Sequence, residues 1–178
     1  MTEHRESDAL DIAPEAITSP IAGALIGALN VELAAGYPEP GANHFRLDAA
    51  EVAPGAGCFL VARWRGHPVG CGALRRLTDA SLERELGPRV GEIKRMYVAP
   101  EARGRGVGRA LLARLEHEAR ALGLTRVVLE TGTRQTQALA LYRRAGFTDI
   151  PPYGEYVASA ATSVCLAKTL AGAPVDRT

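Results

Sequence analysis

The stretch from Glu92 to Arg109, which reads EIKRMYVAPEARGRGVGR, constrains the fold more than any other part of this chain. A β-type run, Val90–Val98, leads into a glycine-rich loop, and an amphipathic helix follows at once. Glycine lets a backbone approach a ligand closely, and a helix N-terminus offers unpaired N–H groups and the positive end of a dipole. Seven lysines and arginines against two glutamates lie between Arg89 and Arg114. This layout predicts a phosphate-binding loop for a large anionic cofactor, and the plainer alternative is a solvated basic face.

Hydrophobic periodicity and turn residues predict the elements around this loop. Ser19 is a candidate N-cap with Pro20 at the first helical position, and this helix ends at Gly36. The segment from Tyr37 to Gly57 is predicted as an extended loop with a short helical turn near 48–52. The later predicted elements are strands at 58–65, 68–77, 90–98 and 126–130, helices at 79–87, 107–122 and 135–145, and strands near 148–156 and 162–168.

These elements predict an α/β fold with a mixed, mostly antiparallel sheet and helices on both faces. The strand, glycine loop, helix and strand from Glu92 to Glu130 form a central βαβ unit that would hold the cofactor. The length of 178 residues fits a single domain, assigned here to residues 10–170. Residues 1–9 are predicted to be a flexible arm, and residues 171–178 a flexible tail.

Two classes of ligand use a strand, glycine loop and helix. A dinucleotide fold has the fingerprint G-x-G-x-x-G and an acidic residue about 20 positions later. This chain has G-x-G-x-G, with Glu130 at the end of the next strand. The glycine spacing, the short chain before residue 90 and the longer loop through Pro100 all count against that fold. The other class is cofactors with a pyrophosphate and a long thiol arm, such as coenzyme A.

Two motifs resemble the GNAT superfamily of acetyl-CoA-dependent N-acetyltransferases. The run from Arg103 to Gly108 matches the family pattern Gln/Arg-x-x-Gly-x-Gly/Ala, and MYVAPEARG before it is typical of the family's fourth strand and turn. Residues 138–147, ALALYRRAGF, match a second signature, in which a helix with Leu-Tyr is followed by Gly-Phe. The resemblance covers residues 58–170 well and the N-terminal region only loosely.

The resemblance implies acetyl-CoA as the acetyl donor and direct attack by an amine, without an acyl-enzyme. Backbone N–H groups from Arg105 to Arg109 would hold the pyrophosphate, and the N–H of Val98 would polarise the thioester carbonyl. Gln135 stands where many members have Asn, and it can make the same kind of contact with the cofactor arm. The implied cofactor-binding residues are Met96, Tyr97, Val98, Arg103, Gly104, Arg105, Gly106, Val107, Gly108, Arg109 and Gln135.

Tyr142 and Glu92 are the predicted catalytic residues. The Tyr142 phenol would protonate the leaving thiolate, since an ordinary phenol pKa is close to that of a thiol. Its structural alternative is core packing. Glu92 would act as a base through a water molecule, and its structural alternative is an ion pair with Lys94 or Arg95. Glu130 is the rival base, and desolvation alone can also deprotonate an amine.

The acceptor is predicted to be the primary amine of a small molecule. His44 and Phe45 lie in the long loop where the family builds its acceptor pocket, and Tyr153 would line the pocket from the other side. Together with Glu130, these are the predicted substrate-binding residues. A peptide or protein acceptor stays open, as does a non-catalytic module that only binds or senses acetyl-CoA.

The bulk properties add few constraints. The net charge of +1 gives no global attraction to nucleic acid or to an anionic membrane. No stretch approaches the roughly 18 apolar residues that a membrane span needs. The three cysteines lack metal-type spacing, so no metal site is predicted. A cytoplasmic protein is expected, and the resemblance makes a homodimer an open possibility.

Overall fold

The computed structural model describes residues 10–40 and 46–172. Residues 1–9 and 173–178, most of the predicted arm and tail, lie outside this part of the chain, as do His44 and Phe45. Within it, no helix is both long enough and apolar enough to cross a bilayer. The described strands are β1 Leu10–Pro14, β2 Gly57–Trp64, β3 His67–Arg76, β4 Val90–Val98, β5 Arg126–Gly132, β6 Thr148–Ile150 and β7 Ser163–Thr169. The described α-helices are α1 Pro20–Gly36, α2 Ala80–Leu86, α3 Val107–Ala121 and α4 Thr136–Arg144, and short 3-10 segments span Ala49–Val52, Pro100–Ala102 and Gly154–Ser159.

The seven described strands form one sheet in the order β1-β2-β3-β4-β5-β7-β6. The pair β4–β5 is parallel, and the other described pairs are antiparallel. The connection between the two parallel strands runs through the glycine loop and α3, as the βαβ prediction requires. The predicted mixed, mostly antiparallel sheet is therefore confirmed.

Helices cover both faces of the sheet, and β2 shows why. Leu60 and Ala62 belong to the core that contains α3, whereas Phe59 and Val61 belong to the core that contains α1. Side chains alternate along a strand, so a strand buried on both faces carries a continuous apolar run. Helix α4 packs on the α3 face, and α2 packs on the opposite face around β4, β5 and β7.

Strands β4 and β5 diverge, and this opening positions the site. Their pairing runs from Val90–Arg126 to Ile93–Leu129 and then stops. Beyond it, Arg95 has a positive φ of 58°, and the β3–β4 register shifts beside it, as at a β-bulge. We call the opening between residues 94–98 and residues 130–132 the β4–β5 gap. The backbone edge of β4 that faces this gap has no strand partner in the described sheet.

The two edge strands of this sheet, β1 and β6, differ from the prediction. The pattern does not predict strand β1, because the alternation in LDIAP covers only three residues before alanine and proline; its pairing with β2 defines it. The predicted strand from Thr148 towards Tyr156 is wrong beyond Ile150. Pro151 and Pro152 follow, and proline has no N–H for a sheet ladder. A 3-10 helix at Gly154–Ser159 takes the place of the predicted strand end and carries Tyr156 back to the core.

Candidate active site

The glycine loop presents a row of backbone N–H groups at the start of α3. Gly104 and Gly106 have φ values of 75° and 79°, which side chains other than glycine rarely adopt. Gly106 is the N-cap of α3 and supplies no side-chain cap, so the amides of residues 107–109 lack intrahelical partners. In the described part of the chain, no amide of residues 104–109 donates to a backbone carbonyl. The loop therefore offers unpaired donors at the positive end of a helix dipole.

Two neighbouring cavities belong to the candidate site, and we call them the larger and the smaller cavity. The glycine loop forms one wall of the larger cavity, which has a volume of about 710 Å³ and runs between β4, α3 and α4. Among the predicted cofactor residues, Arg105 is the exception, since its guanidinium lies over the Trp64 ring at 5.6 Å. The structure brings the others together in the lining: Met96, Tyr97, Val98, Arg103, Gly104, Gly106, Val107, Gly108, Arg109 and Gln135.

Arg103 links the loop to α1 across the larger cavity. Its Nε donates to the Val98 carbonyl at 2.9 Å, and its Nη2 donates to Glu32 Oε2 at 2.6 Å. Glu32 also lines the cavity and could not be identified from the sequence, because an acidic residue on the exposed side of a helix carries no distinguishing signal. The charge of Arg103 is thus shared with a carboxylate and is not wholly available to a phosphate.

The backbone of β4 supplies a further donor to the site. Ala99 donates its N–H to the Val69 carbonyl at 2.8 Å, on the β3 side. Successive N–H groups of a strand point to opposite edges, so the N–H of Val98 points to the edge that faces the β4–β5 gap. A carbonyl placed in that gap could accept a hydrogen bond from Val98.

The smaller cavity, of about 120 Å³, lies beside the gap and is lined by Lys94, Glu130 and Tyr156, among others. The two cavities are adjacent, because they share five lining residues: Leu29, Met96, Gln135, Ala138 and Tyr142. A ligand in either cavity can therefore contact Tyr142. Tyr142 and Glu130, predicted from separate motifs, both border the smaller cavity.

Tyr142 lies at this junction with its side chain turned inward from α4. The residue is only 5% exposed, and its ring packs against Phe147 at a centroid distance of 5.9 Å. No group in the described chain hydrogen-bonds to its hydroxyl. Burial raises the pKa of Tyr142, and the charge of Glu130 adds to this effect. The phenol therefore keeps its proton at neutral pH, and proton transfer to a thiolate is less balanced than the ordinary phenol value predicts.

Glu92 is fully buried, and both oxygens of its carboxylate have partners. Oε1 accepts from the hydroxyls of Tyr153 and Tyr156, each at 2.8 Å. Oε2 accepts from Arg75 Nε at 2.7 Å, and Arg75 Nη2 lies 2.6 Å away in the same ion pair. Three hydrogen bonds and an ion pair therefore hold this carboxylate. The contacts are those of a residue that positions Tyr156, and a role for Glu92 as base stays a prediction.

The partner of Glu92 differs from the ion pair considered in the sequence analysis. Arg75 stands directly opposite Glu92 in the β3–β4 register, so the two side chains meet across neighbouring strands. Neither Lys94 nor Arg95 makes this contact. Tyr153, predicted to line the acceptor pocket, is instead buried against Glu92 and outside the lining of the smaller cavity.

Glu130 has the environment of a titratable group at the end of a buried strand. Burial raises the pKa of its carboxyl; a hydrogen bond with Ser163 opposes this shift, and the charge of Glu92 reinforces it. Unlike Glu92, it borders the smaller cavity. It is therefore the carboxylate that a ligand in this cavity can reach.

Lys94, expected from the sequence only as a possible partner for Glu92, is a residue of the candidate site. It is 8% exposed and lines the smaller cavity. Its Nζ is buried without a hydrogen bond and lies 3.5 Å from Glu155 Oε1. The available signal was the spacing: a lysine two residues after Glu92 on one strand must share its face of the sheet.

Within the described residues, no three His, Cys, Asp or Glu side chains are grouped so that they could hold a metal ion. The polar groups around the two cavities are instead backbone amides, phenols, arginines, two glutamines, Thr131, Lys94, Glu32 and Glu130. This set suits an anionic cofactor in the larger cavity and proton transfer at Tyr142, which borders both cavities.

Comparison of this sequence with known protein families identifies the family to which the chain belongs. Residues 26–147 match the family described as "Acetyltransferase (GNAT) family". A relative from Azospirillum brasilense named IAA acetyltransferase is 48% identical over 120 residues, which make up 67% of this chain and 72% of that protein. Two further relatives are matched over only 42% and 52% of their lengths.

Solved structures share the fold over nearly the whole chain. A Klebsiella pneumoniae structure assigned to the acyl-CoA N-acyltransferases has a TM-score of 0.71 at 32% identity and covers 92% of this chain and 99% of that one. A GNAT family acetyltransferase from Elizabethkingia anophelis, solved with acetyl-CoA bound, has a TM-score of 0.63 at 20% identity and covers 92% and 100%. These matches confirm the resemblance seen in the two motifs and remove the dinucleotide alternative. The chain belongs to the GNAT family of acetyltransferases, and it is an acyltransferase.

Proposed function

We propose that this protein transfers the acetyl group of acetyl-CoA to the primary amine of a small molecule. The observation that carries the proposal is the pair of adjacent cavities at Tyr142, one walled by the glycine loop and the other by Glu130. A donor thioester at the junction would face an amine that enters from the smaller cavity. The bound acetyl-CoA in the Elizabethkingia anophelis structure supports the choice of donor.

The larger cavity can accommodate coenzyme A from its pyrophosphate, at the glycine loop, to its thioester, at Val98. The amides of residues 105–109 would hold the pyrophosphate, because they are unpaired donors at a helix N-terminus. The pantetheine arm would run along the free edge of β4 at residues 96–98, with Gln135 on its other side. The thioester carbonyl would accept a hydrogen bond from Val98, and such oxyanion-type donors contribute about 3 kcal/mol.

The chemistry then needs three proton transfers. Glu130 accepts a proton from the entering ammonium, and the neutral amine attacks the thioester carbon. The tetrahedral intermediate collapses with the C–N bond formed and the C–S bond broken, and the leaving thiolate takes the proton of Tyr142. The second proton lost by the nitrogen restores the Tyr142 phenol, and the proton on Glu130 is released to solvent. Glu92 holds Tyr156 in the wall of the acceptor cavity through their 2.8 Å hydrogen bond.

A small molecule is the better acceptor for this cavity. The smaller cavity has a volume of only about 120 Å³, and residues from α1, β4, β5 and α4 line it. The name of the Azospirillum brasilense relative, IAA acetyltransferase, also supports an acceptor of low molecular weight. The homodimer expected from the resemblance stays a prediction.

The first test is the release of free thiol from acetyl-CoA against a panel of amino acids, polyamines, aminoglycosides and short peptides. Amine-dependent release is expected for at least one small-molecule class. Binding of acetyl-CoA without release on any amine would instead support a sensing module. Release with peptides alone would contradict the small-molecule acceptor.

Gly106→Asp should weaken acetyl-CoA binding about tenfold or more, which corresponds to about 1.4 kcal/mol. The new carboxylate would face the phosphates, and a side chain is strained at the Gly106 φ of 79°. The measurement is the acetyl-CoA Kd by calorimetry. Gly55→Asp is the matched control, because Gly55 also has a positive φ, 85°, and open space around it, but lies outside the larger cavity. Equal Kd values in both variants would contradict the loop assignment.

Glu130→Gln should lower kcat by about 100-fold, in the range of a lost general base. It should also remove the acidic limb of the pH–rate profile. The sign follows from the raised pKa of Glu130: the carboxylate is the active form, so the wild-type rate rises as pH increases through that pKa. Glu92→Gln is the comparison, and it should retain the limb. A limb lost in Glu92→Gln and kept in Glu130→Gln would assign the base to Glu92.

A further inference from the structure

Lys94 carries a charge that the proposed reaction does not use. Its Nζ is buried and has no hydrogen bond, although an ammonium group has three donors. Burial of an ammonium without hydrogen bonds is unfavourable, and such groups are usually paired or bind something. The position therefore points to a missing acceptor of hydrogen bonds.

The side chains around Lys94 do not satisfy it. Glu155 Oε1 lies 3.5 Å from Nζ without a hydrogen bond, and the Glu155 side chain is 45% exposed, so solvent screens this pair. The ring of Tyr156 lies 5.9 Å from Nζ, which adds a weak cation–π contact. Glu130 borders the same cavity, and the charge of Lys94 acts on its carboxyl.

The carboxylates nearest to Lys94 are paired with other residues. Glu92, on the same strand and the same face, has both oxygens occupied by Arg75 and two tyrosine hydroxyls. Glu51 also pairs with Arg75. The neighbouring cation, Arg95, donates to Asn30 on α1 at 3.1 Å. Lys94 is thus the cation that this wall of the smaller cavity can offer to a ligand.

We propose that the acceptor amine carries a carboxylate and that Lys94 binds this carboxylate in the smaller cavity. The inference deepens the proposed function and rests on it. The cavity offers a cation at Lys94, an acid at Glu130 and, at the junction, Tyr142. A zwitterion matches this pattern: its carboxylate pairs with Lys94, and its ammonium group lies by Glu130, next to the thioester. The acceptor class is therefore a small amino acid or a similar carboxylate-bearing primary amine.

The test compares each amino acid of a panel with its own amide, which has the same side chain and primary amine but no carboxylate. Rates are compared at equal concentrations of neutral amine, since the amide lowers the pKa of its amine. The wild-type enzyme should have a kcat/KM about 10- to 100-fold higher for the acid. Most of this difference should appear in KM, because Lys94 binds the acceptor and does not touch the reacting atoms.

Lys94→Met keeps the length of the stem and removes the charge. It should abolish most of the preference for the acid over the amide and leave the acetyl-CoA KM within about twofold, because Lys94 does not line the larger cavity. Glu155→Gln is the control: it removes the competing carboxylate and should keep or strengthen the preference. A preference that persists in Lys94→Met would overturn the proposal.

The outcomes separate this inference from the proposed function. If no amine of the panel is acetylated, the proposed function fails. If amines are acetylated but acids and amides react equally in the wild-type enzyme, only the carboxylate inference fails. This comparison needs no variant, so it decides the question even if Lys94→Met does not fold. Calorimetric titration of the acids into the complex with coenzyme A gives the same comparison without turnover.

Discussion

Tyr142→Phe is expected to lower kcat by about 100-fold or more, with the acetyl-CoA Kd changed by less than about twofold. Among the described residues that line both cavities, Tyr142 alone has an acidic side chain that can give a proton to a leaving thiolate, and a positioned proton donor typically contributes 10²- to 10⁴-fold. The substitution removes a single oxygen that has no hydrogen-bond partner in the described chain, so the fold should be retained. Steady-state kinetics and calorimetry measure the two quantities.

A matched control for this variant is Tyr37→Phe. Tyr37 is also a buried tyrosine, and its hydroxyl accepts from the backbone N–H of Arg134 at 2.6 Å, in the turn before α4. Its loss should reduce stability without the large loss of kcat, because Tyr37 lines neither cavity. An unchanged kcat in Tyr142→Phe would exclude the phenol as proton donor and leave core packing as its role.

Arg75→Met is expected to lower the free energy of unfolding by about 3 to 5 kcal/mol, the usual loss when one partner of a buried ion pair is removed. Burial alone would lower the pKa of Arg75, but the charges and hydrogen bonds of Glu92 and Glu51 hold it above its ordinary value. Without Arg75, the carboxylate of Glu92 stays fully buried and retains only the two tyrosine hydroxyls. Chemical denaturation followed by circular dichroism measures the loss.

Arg63→Met is the matched control for this second prediction. Arg63 also lies on a strand and pairs with a glutamate, Glu15, at 2.7 Å, but both side chains remain about a fifth exposed, at 21% and 20%. A solvent-screened pair contributes about 1 kcal/mol or less. Equal losses of stability in both variants would show that the buried pair of Arg75 and Glu92 contributes no more than a partly exposed pair.

The half of the site proposed to bind the cofactor could be predicted from the sequence because it is local. The donors, the glycines and the helix start all lie between Met96 and Arg109, so their spacing along the chain determines their geometry. The helix ends were predictable for the same reason: Ser19 caps α1 by accepting from Ala22, and Asp79 caps α2. Arg105 is the exception, since its side chain turns to Trp64 on a distant strand.

The acceptor half depends on contacts between residues far apart in the chain. Glu92 meets Arg75 because the β3–β4 register places them opposite each other, and register across a sheet is not encoded in either strand alone. Tyr153 and Tyr156 reach Glu92 from more than 60 positions away because Pro151 and Pro152 end β6 and a 3-10 helix follows. Their separate roles could not be predicted from the sequence, where Glu92 and Tyr153 were both expected to be site residues.

The sequence by itself determined the family, the βαβ unit and the glycine loop, since each depends on short-range spacing of glycine, proline and apolar residues. The tertiary structure alone decided which carboxylate borders the smaller cavity and which is held in an ion pair. It also decided that the Lys94 ammonium is buried without a hydrogen bond. The physical reason is that desolvation and pairing of a charge depend on every element packed around it, and these elements come from distant parts of the chain.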